Sequence, residues 1–144
     1  MTKAILDTDI LSEIIRAKNS QVARNAEQYL KEQGGYTLSA MTVAEMVMGW
    51  HKIQDDRRIR DLLTFFERHD ILPVGLDEAT VAGRIIGDLA RLGIPIGPMD
   101  PFIAATAIVH NLSLVTGNTK HFNRIIELGY PLELQNCREE LPNG

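Results

Sequence analysis

The sequence predicts an α/β domain with a central, mainly parallel sheet and helices on both of its faces. Short apolar runs alternate with longer segments whose apolar residues recur every three or four positions. Breaks at Gly34-Gly35, Pro73, Gly93, Pro98 and Gly129 punctuate the alternation. Strands that alternate with helices pair in parallel, because each crossover lays a helix on a sheet face.

Ala4-Ile5-Leu6 is predicted as a buried strand, followed by a helix from Ile10 to Ala17. Ser20 is placed as the cap of a second helix, from Gln21 to Gln33. After the glycine pair, Tyr36-Thr37-Leu38 reads as a strand. Ser39 to Lys52 is a helix with Val43, Met46, Val47 and Trp50 on one side. Ile59, Leu62, Leu63 and Phe66 mark an amphipathic helix. Ile71, Leu72 and Val74 form a strand-like patch, and Val81, Ile85, Ile86 and Leu89 mark a helix that ends near Gly93. Phe102 to Val109 is apolar all round, and its alanines and the preceding Pro101 favour a buried helix over a strand. Ser113 to Val115 is a strand, His121 to Leu128 a short helix and Leu132 to Leu134 a last strand, before a polar tail from Gln135.

A length of 144 residues with 44% hydrophobic content fits one domain, 1–144, with its own core. No apolar run approaches the roughly 20 residues of a membrane span. The opening MTKAILDTDIL is broken by acids and does not read as a signal peptide. Cys137 is the only cysteine, which excludes an internal disulfide and a thiolate metal cluster. A cytoplasmic protein is the simplest expectation. The net charge of −4 disfavours a plain electrostatic nucleic-acid binder, which needs basic side chains for phosphate. Carboxylates that hold divalent cations are the exception, since the loaded site presents positive charge.

The acids of interest are Asp7 and Asp9 in ILDTDIL, Glu45 in LSAMTVAEMVMG and Asp100 in IGPMDPFIAATA, joined by Asn118 in LVTGNTKHF. Each has an ordinary reading. Asp7 or Asp9 caps the first helix, and Asp100 is an N-cap before a proline at the first helical position. Glu45 is an exposed helical glutamate, and Asn118 after Gly117 is turn chemistry. Together they are more informative. Three carboxylates and an amide fall near the carboxyl edge of the predicted sheet, where open α/β sheets place their sites. Oxygen-only ligands suit magnesium or manganese rather than zinc. His51, His69, His110 and His121 lack metal-ligand spacing and are read as surface or core residues.

These strings, with YPLEL near the end, resemble the PIN-domain nucleases and, within them, the VapC toxins of bacterial type II toxin–antitoxin pairs. The resemblance covers nearly the whole chain. It implies a three-layer α/β/α sandwich around a sheet of about five strands, and Mg²⁺- or Mn²⁺-dependent cleavage of RNA that leaves a 5′-phosphate and a 3′-hydroxyl. It carries the acidic site onto Asp7, Glu45 and Asp100 as metal ligands, with Asn118 in the fourth position and Asp9 and Thr116 as supporting polar residues. Many relatives have Asp at the fourth position. The neutral Asn118 weakens a second metal site, so one firm metal is expected and a second arrives with substrate. The resemblance also implies a cognate VapB-like antitoxin and a homodimer.

Lys120 and Arg124, just beyond Asn118, are candidates for phosphate contact; so are Lys52, Arg57, Arg58 and Arg60, whose neighbours Asp55, Asp56 and Asp61 suit a solvated helix face better. Met46, Met48 and Trp50 are core residues by spacing, or belong to an antitoxin groove or dimer contact. Other readings predict other behaviour. A haloacid-dehalogenase-type phosphatase also uses a strand followed by Asp-x-Asp, but the chain is short for it and lacks the later paired acids. A non-catalytic PIN-like binding module needs no intact acidic set. DNA in place of RNA is not distinguished by any sequence feature.

Overall fold

The strand β1 (Ala4–Leu6) lies at the centre of the sheet. Its side chains alternate between faces, as the two-residue period of a strand requires. Ala4 and Leu6 enter one hydrophobic cluster and Ile5 enters a second on the opposite face. This is a computed structural model, and it describes residues 2–136.

From β1 the chain steps outward through β2 (Thr37–Ser39) and β3 (Asp70–Leu72). It then returns to the other side of β1 for β4 (Ser113–Val115) and β5 (Leu134–Gln135). The order is β3-β2-β1-β4-β5 and every pairing is parallel. The direction of travel reverses between β1 and β4, whose carboxyl ends lie side by side with Leu6 opposite Val115. A crevice outside such a reversal is the usual ligand position in an open α/β sheet.

Seven helices cover the sheet among the described residues: α1 (Thr8–Arg16), α2 (Ser20–Gln33), α3 (Ala40–Lys52), α4 (Asp56–Phe66), α5 (Leu76–Arg91), α6 (Asp100–Val109) and α7 (Thr119–Glu127). Ile10 and Leu11 of α1, Ala26 and Tyr29 of α2, and Leu62 and Phe66 of α4 bury against one face, with α3 lending Val43, Met46 and Val47. Ile85 and Leu89 of α5, Ile103 and Ala107 of α6, and Phe122 and Ile125 of α7 bury against the other. The predicted α/β/α sandwich is therefore the observed one. Among the described residues no helix is long and apolar enough to cross a membrane.

Boundaries differ where capping chemistry decides them. The first helix begins at Thr8 because Asp7 caps it. The second is capped by Asn19 rather than Ser20; Asn19 Oδ1 accepts from the N–H groups of Gln21 and Val22 at 3.0 and 3.1 Å. The fifth starts at Leu76, ahead of its first predicted apolar marker Val81, because Glu78 Oε2 accepts from the Gly75 N–H at 3.1 Å and closes the first turn. The last strand is Leu134–Gln135, not Leu132–Leu134, so Gln135 belongs to the sheet and not to a polar tail. Leu132 instead inserts into the core beside β4. Cys137 and the rest of the expected tail lie outside the described residues.

Candidate active site

The backbone N–H of Asp7 continues the β1–β4 ladder with a 2.9 Å bond to Val115 O. There the chain turns into α1. Asp7 Oδ1 accepts from the Thr8 N–H at 2.8 Å and Oδ2 accepts from Thr116 Oγ1 at 2.8 Å. Asp7 is thus a helix cap, as its ordinary reading has it, and also a buried acid, only 4% exposed. The two roles are compatible, because a carboxylate offers about four acceptor positions and these bonds use two. Asp9 holds the same corner together. Its Oδ1 accepts from the Ile10 N–H at 2.7 Å and its Oδ2 from the Gly117 N–H at 3.1 Å.

Glu45 approaches from α3. Its Oε1 accepts from Thr8 Oγ1 at 3.0 Å, and Thr8 Oγ1 also lies 3.0 Å from Thr42 Oγ1. Asp100 enters as the first residue of α6. Met99, not Asp100, stands at the cap position, and there is no side-chain capping bond. The capping role that its place before Pro101 suggested is therefore absent, and the carboxyl is left for other use. Asn118 follows β4 at the start of α7; its N–H donates to Thr116 Oγ1 at 2.9 Å, and its side chain does not cap the helix.

The electrostatics are those of crowded acids. Burial, the charge of Asp9 and the charge of Asp100 push the Asp7 carboxyl up to about 8, against the hydrogen bonds from Thr116 and Thr8. Burial raises Glu45, as do Asp100 and Asp9, while the Thr8 bond opposes. Burial and Asp9 raise Asp100, and His121 opposes. The opposition comes from hydrogen bonds and one imidazole, not from lysine or arginine. Mutually repelling oxygen donors that no lysine or arginine among the causes of these shifts compensates fit a hard divalent cation.

That fit has a limit. Among the described residues no three acidic, cysteine or histidine side chains already stand as a closed ligand set. The three-carboxylate cage expected of Asp7, Glu45 and Asp100 is not preformed. Magnesium does not need a cage, since it typically binds through one or two carboxylates and keeps several waters.

The remaining candidates divide. Lys120 is exposed at the start of α7. Arg124 Nη1 donates to Pro95 O at 3.3 Å, so it ties α7 to the loop before α6. Of the basic stretch, Arg58 pairs with Asp55 at 3.5 Å and stacks 4.4 Å over the Trp50 ring. His69 and His110 take structural parts, the first accepting from the Tyr36 N–H at 2.9 Å and the second 3.0 Å from Glu78, and His51 is exposed. His121 departs from the surface-or-core reading. Its Nδ1 lies 2.9 Å from Asn118 Nδ2 and 3.8 Å from Asp100 Oδ2. The signal was present as the three-residue spacing from Asn118, which sets both on one side of a helix start.

A groove of about 770 Å³ opens beside the acids, with Thr8 and Glu45 in its wall. Met46, Trp50, Leu62 and Phe65 supply apolar lining and Arg16 and Arg58 supply charge. Met48 is not part of it and is 54% exposed.

Residues 4–128 match the model of the PIN domain family. The chain is 36% identical over 126 residues to the tRNA(fMet)-specific endonuclease VapC of Shigella flexneri, covering 87% of this chain and 93% of that protein. It is 36% identical over 129 residues to a ribonuclease VapC of Rickettsia bellii (strain RML369-C), covering 86% and 91%. The structure of VapBC-1 from nontypeable Haemophilus influenzae superposes with a TM-score of 0.79 at 27% identity, covering 96% of this chain and all of that one (100%).

Proposed function

Because the chain belongs to the PIN-domain family and, within it, to the VapC ribonucleases, we propose that Asp7, Glu45 and Asp100 hold a divalent metal ion, Mg²⁺ or Mn²⁺, at which it cuts RNA. The protein is the endoribonuclease toxin of a type II toxin–antitoxin pair. The observation that carries the site reading is the Asp7 carboxyl itself, buried at the carboxyl end of β1, held by Thr8 and Thr116 and close enough to Asp9 and Asp100 to feel their charge. A carboxyl buried among other acids keeps its proton unless a cation replaces it, which is the behaviour of a metal ligand.

In this reading Asp7 and Asp100 are the direct ligands. Glu45 ligates as well or holds a water beside them, with Thr8 orienting its carboxylate. Thr116 and Asp9 fix the corner that aims Asp7, which is the part outer-shell partners play at metal sites. When bound, the ion supplies Lewis acidity at the phosphodiester and acidifies water. Hydrolysis leaves a 5′-phosphate and a 3′-hydroxyl. Lys120, exposed beside Asn118, contacts a substrate phosphate; Arg124 supports the same helix through Pro95. Asn118, neutral at the fourth position, contributes an oxygen without charge.

The Shigella flexneri relative is named for tRNA(fMet), and we assign a structured RNA as the class of substrate here. The inhibiting partner is a VapB-like antitoxin, seated in the groove between α1, α3 and α4 so that it reaches the acids past Thr8 and Glu45. The assembly we expect is a homodimer. The protein acts in the cytoplasm, where RNA is.

The test is cleavage of an RNA panel by the purified protein, with end sequencing. Cleavage that needs Mg²⁺ or Mn²⁺, stops with EDTA and is lost in Asp7→Ala is expected. Retained cleavage by a folded Asp7→Ala protein rules Asp7 out as the central ligand.

A further inference from the structure

Asn118 presents a problem that a carboxylate at its position would not have. The two oxygens of a carboxylate are equivalent, so either can face a cation. An amide has one oxygen and one NH₂, and the NH₂ carries partial positive charge and two donors. Turned the wrong way, it repels a cation. An amide that serves a metal site therefore needs a neighbour that decides which way it points.

His121 sits where that neighbour has to be. Its Nδ1 is 2.9 Å from Asn118 Nδ2, one turn along the start of α7. The amide nitrogen donates to an unprotonated ring nitrogen, which leaves Asn118 Oδ1 outside this contact. Asn118 itself is fastened by its own backbone, through the N–H bond to Thr116 Oγ1 at 2.9 Å, and Thr116 Oγ1 in turn donates to Asp7. The same ring nitrogen lies 3.8 Å from Asp100 Oδ2, beyond hydrogen-bond length, so with Nδ1 unprotonated its bond is the one to the amide. The ring is 39% exposed on its side chain and is not a buried core residue.

We propose that His121 is a positioning residue that orients the Asn118 amide, so that its oxygen and not its nitrogen faces the cation. This rests on the reading of Asp7, Glu45 and Asp100 as a divalent-metal site. It assigns to one helix start a paired device, an amide with its orienting imidazole, in place of a fourth carboxylate. Partners of this outer kind typically change metal affinity by about 10- to 100-fold when removed.

The dependence on the amide supplies the test. Mn²⁺ binding to the full-length protein is titrated by calorimetry in four forms: the natural chain, His121→Phe, Asn118→Asp and the double variant. His121→Phe keeps a ring but removes the acceptor, and is expected to weaken Mn²⁺ binding by about tenfold. In the Asn118→Asp background the same change is expected to cost little, since a carboxylate has no wrong face. His121→Asn, whose side-chain oxygen can stand in for Nδ1, restores much of the loss, and it also covers the case in which the phenylalanine variant folds poorly. Equal losses in both backgrounds, or no loss with Asn118 present, overturn the proposal. Asp7→Ala and Asp100→Ala are titrated beside these. If they bind Mn²⁺ as tightly as the natural chain, or if the natural chain binds none, the metal site itself is wrong and the role of His121 falls with it.

Discussion

Thr116 Oγ1 donates a 2.8 Å hydrogen bond to Asp7 Oδ2 across 109 residues of chain. This bond stitches the ends of β1 and β4 at the reversal of the sheet. Its acceptor is the most perturbed acid of the site.

Thr116→Val removes that donor and also the acceptor for the Asn118 N–H. Both groups left behind are buried or half-buried, and an unsatisfied group of this kind costs about 1–3 kcal/mol. The variant is expected to lose stability in that range in chemical denaturation with EDTA present. Thr116→Ser, which keeps the hydroxyl, should lose distinctly less. Equal losses for the two would mean the methyl group, and not the bond, matters.

The metal-free protein should become less stable as pH rises from about 3.8 to about 8, as far as Asp7 decides it. The folded form holds the Asp7 proton in that window and the unfolded chain has released it. The native state then binds more protons, and stability falls with rising pH. Above the folded value no further loss comes from this group. Glu45 and Asp100 are raised too and act with the same sign. Denaturation across pH in EDTA should show a flatter profile for Asp7→Asn than for the natural chain. A divalent cation should restore stability most at the alkaline end. An unchanged slope in Asp7→Asn would contradict the perturbed carboxyl.

His69 should act with the opposite sign. Burial and the neighbouring Arg68 lower its value below the ordinary 6.5, and the 2.9 Å bond from the Tyr36 N–H requires an unprotonated Nδ1. Stability from this group is present above 6.5 and declines as pH falls toward its lower folded value. His69→Phe keeps ring contact with Tyr36 and Phe65 but strands the Tyr36 N–H, at a cost of about 1–3 kcal/mol above neutrality. The gap between variant and natural chain should narrow in acid. A gap that stays constant with pH would show that packing, not the hydrogen bond, is what His69 supplies.

Asn118→Asp should move two properties in opposite directions. It adds an acid beside His121, whose ring lies 3.8 Å from Asp100. Without metal, repulsion is expected to lower stability by about 1 kcal/mol or less, the scale of partly exposed charge pairs. With Mn²⁺, affinity is expected to rise by about tenfold. Thermal melts with and without Mn²⁺ read both effects. A variant that is destabilised in both conditions would remove position 118 from the site.

Much of this protein is determined by its sequence alone. Ala4-Ile5-Leu6 is a strand because three apolar residues bounded by an acid have both faces to bury, and the structure divides them between two cores. Ser113 to Val115 was legible for the same reason and is β4 to the residue. The acids were legible because Asp7 and Asn118 follow such strands, where a polar side chain needs a reason to be. The tertiary structure decided what local pattern cannot carry. Strand order is set by which faces the crossover helices cover, so only the fold makes β1 and β4 neighbours and brings Thr116 to Asp7. It also decided that Met99 takes the cap position, which releases Asp100. His121 beside Asn118 was legible from their three-residue spacing, but its approach to Asp100, which precedes β4 in the chain, was not. Whether a polar side chain is solvated or functional depends on neighbours distant in the chain, and those are fixed by packing.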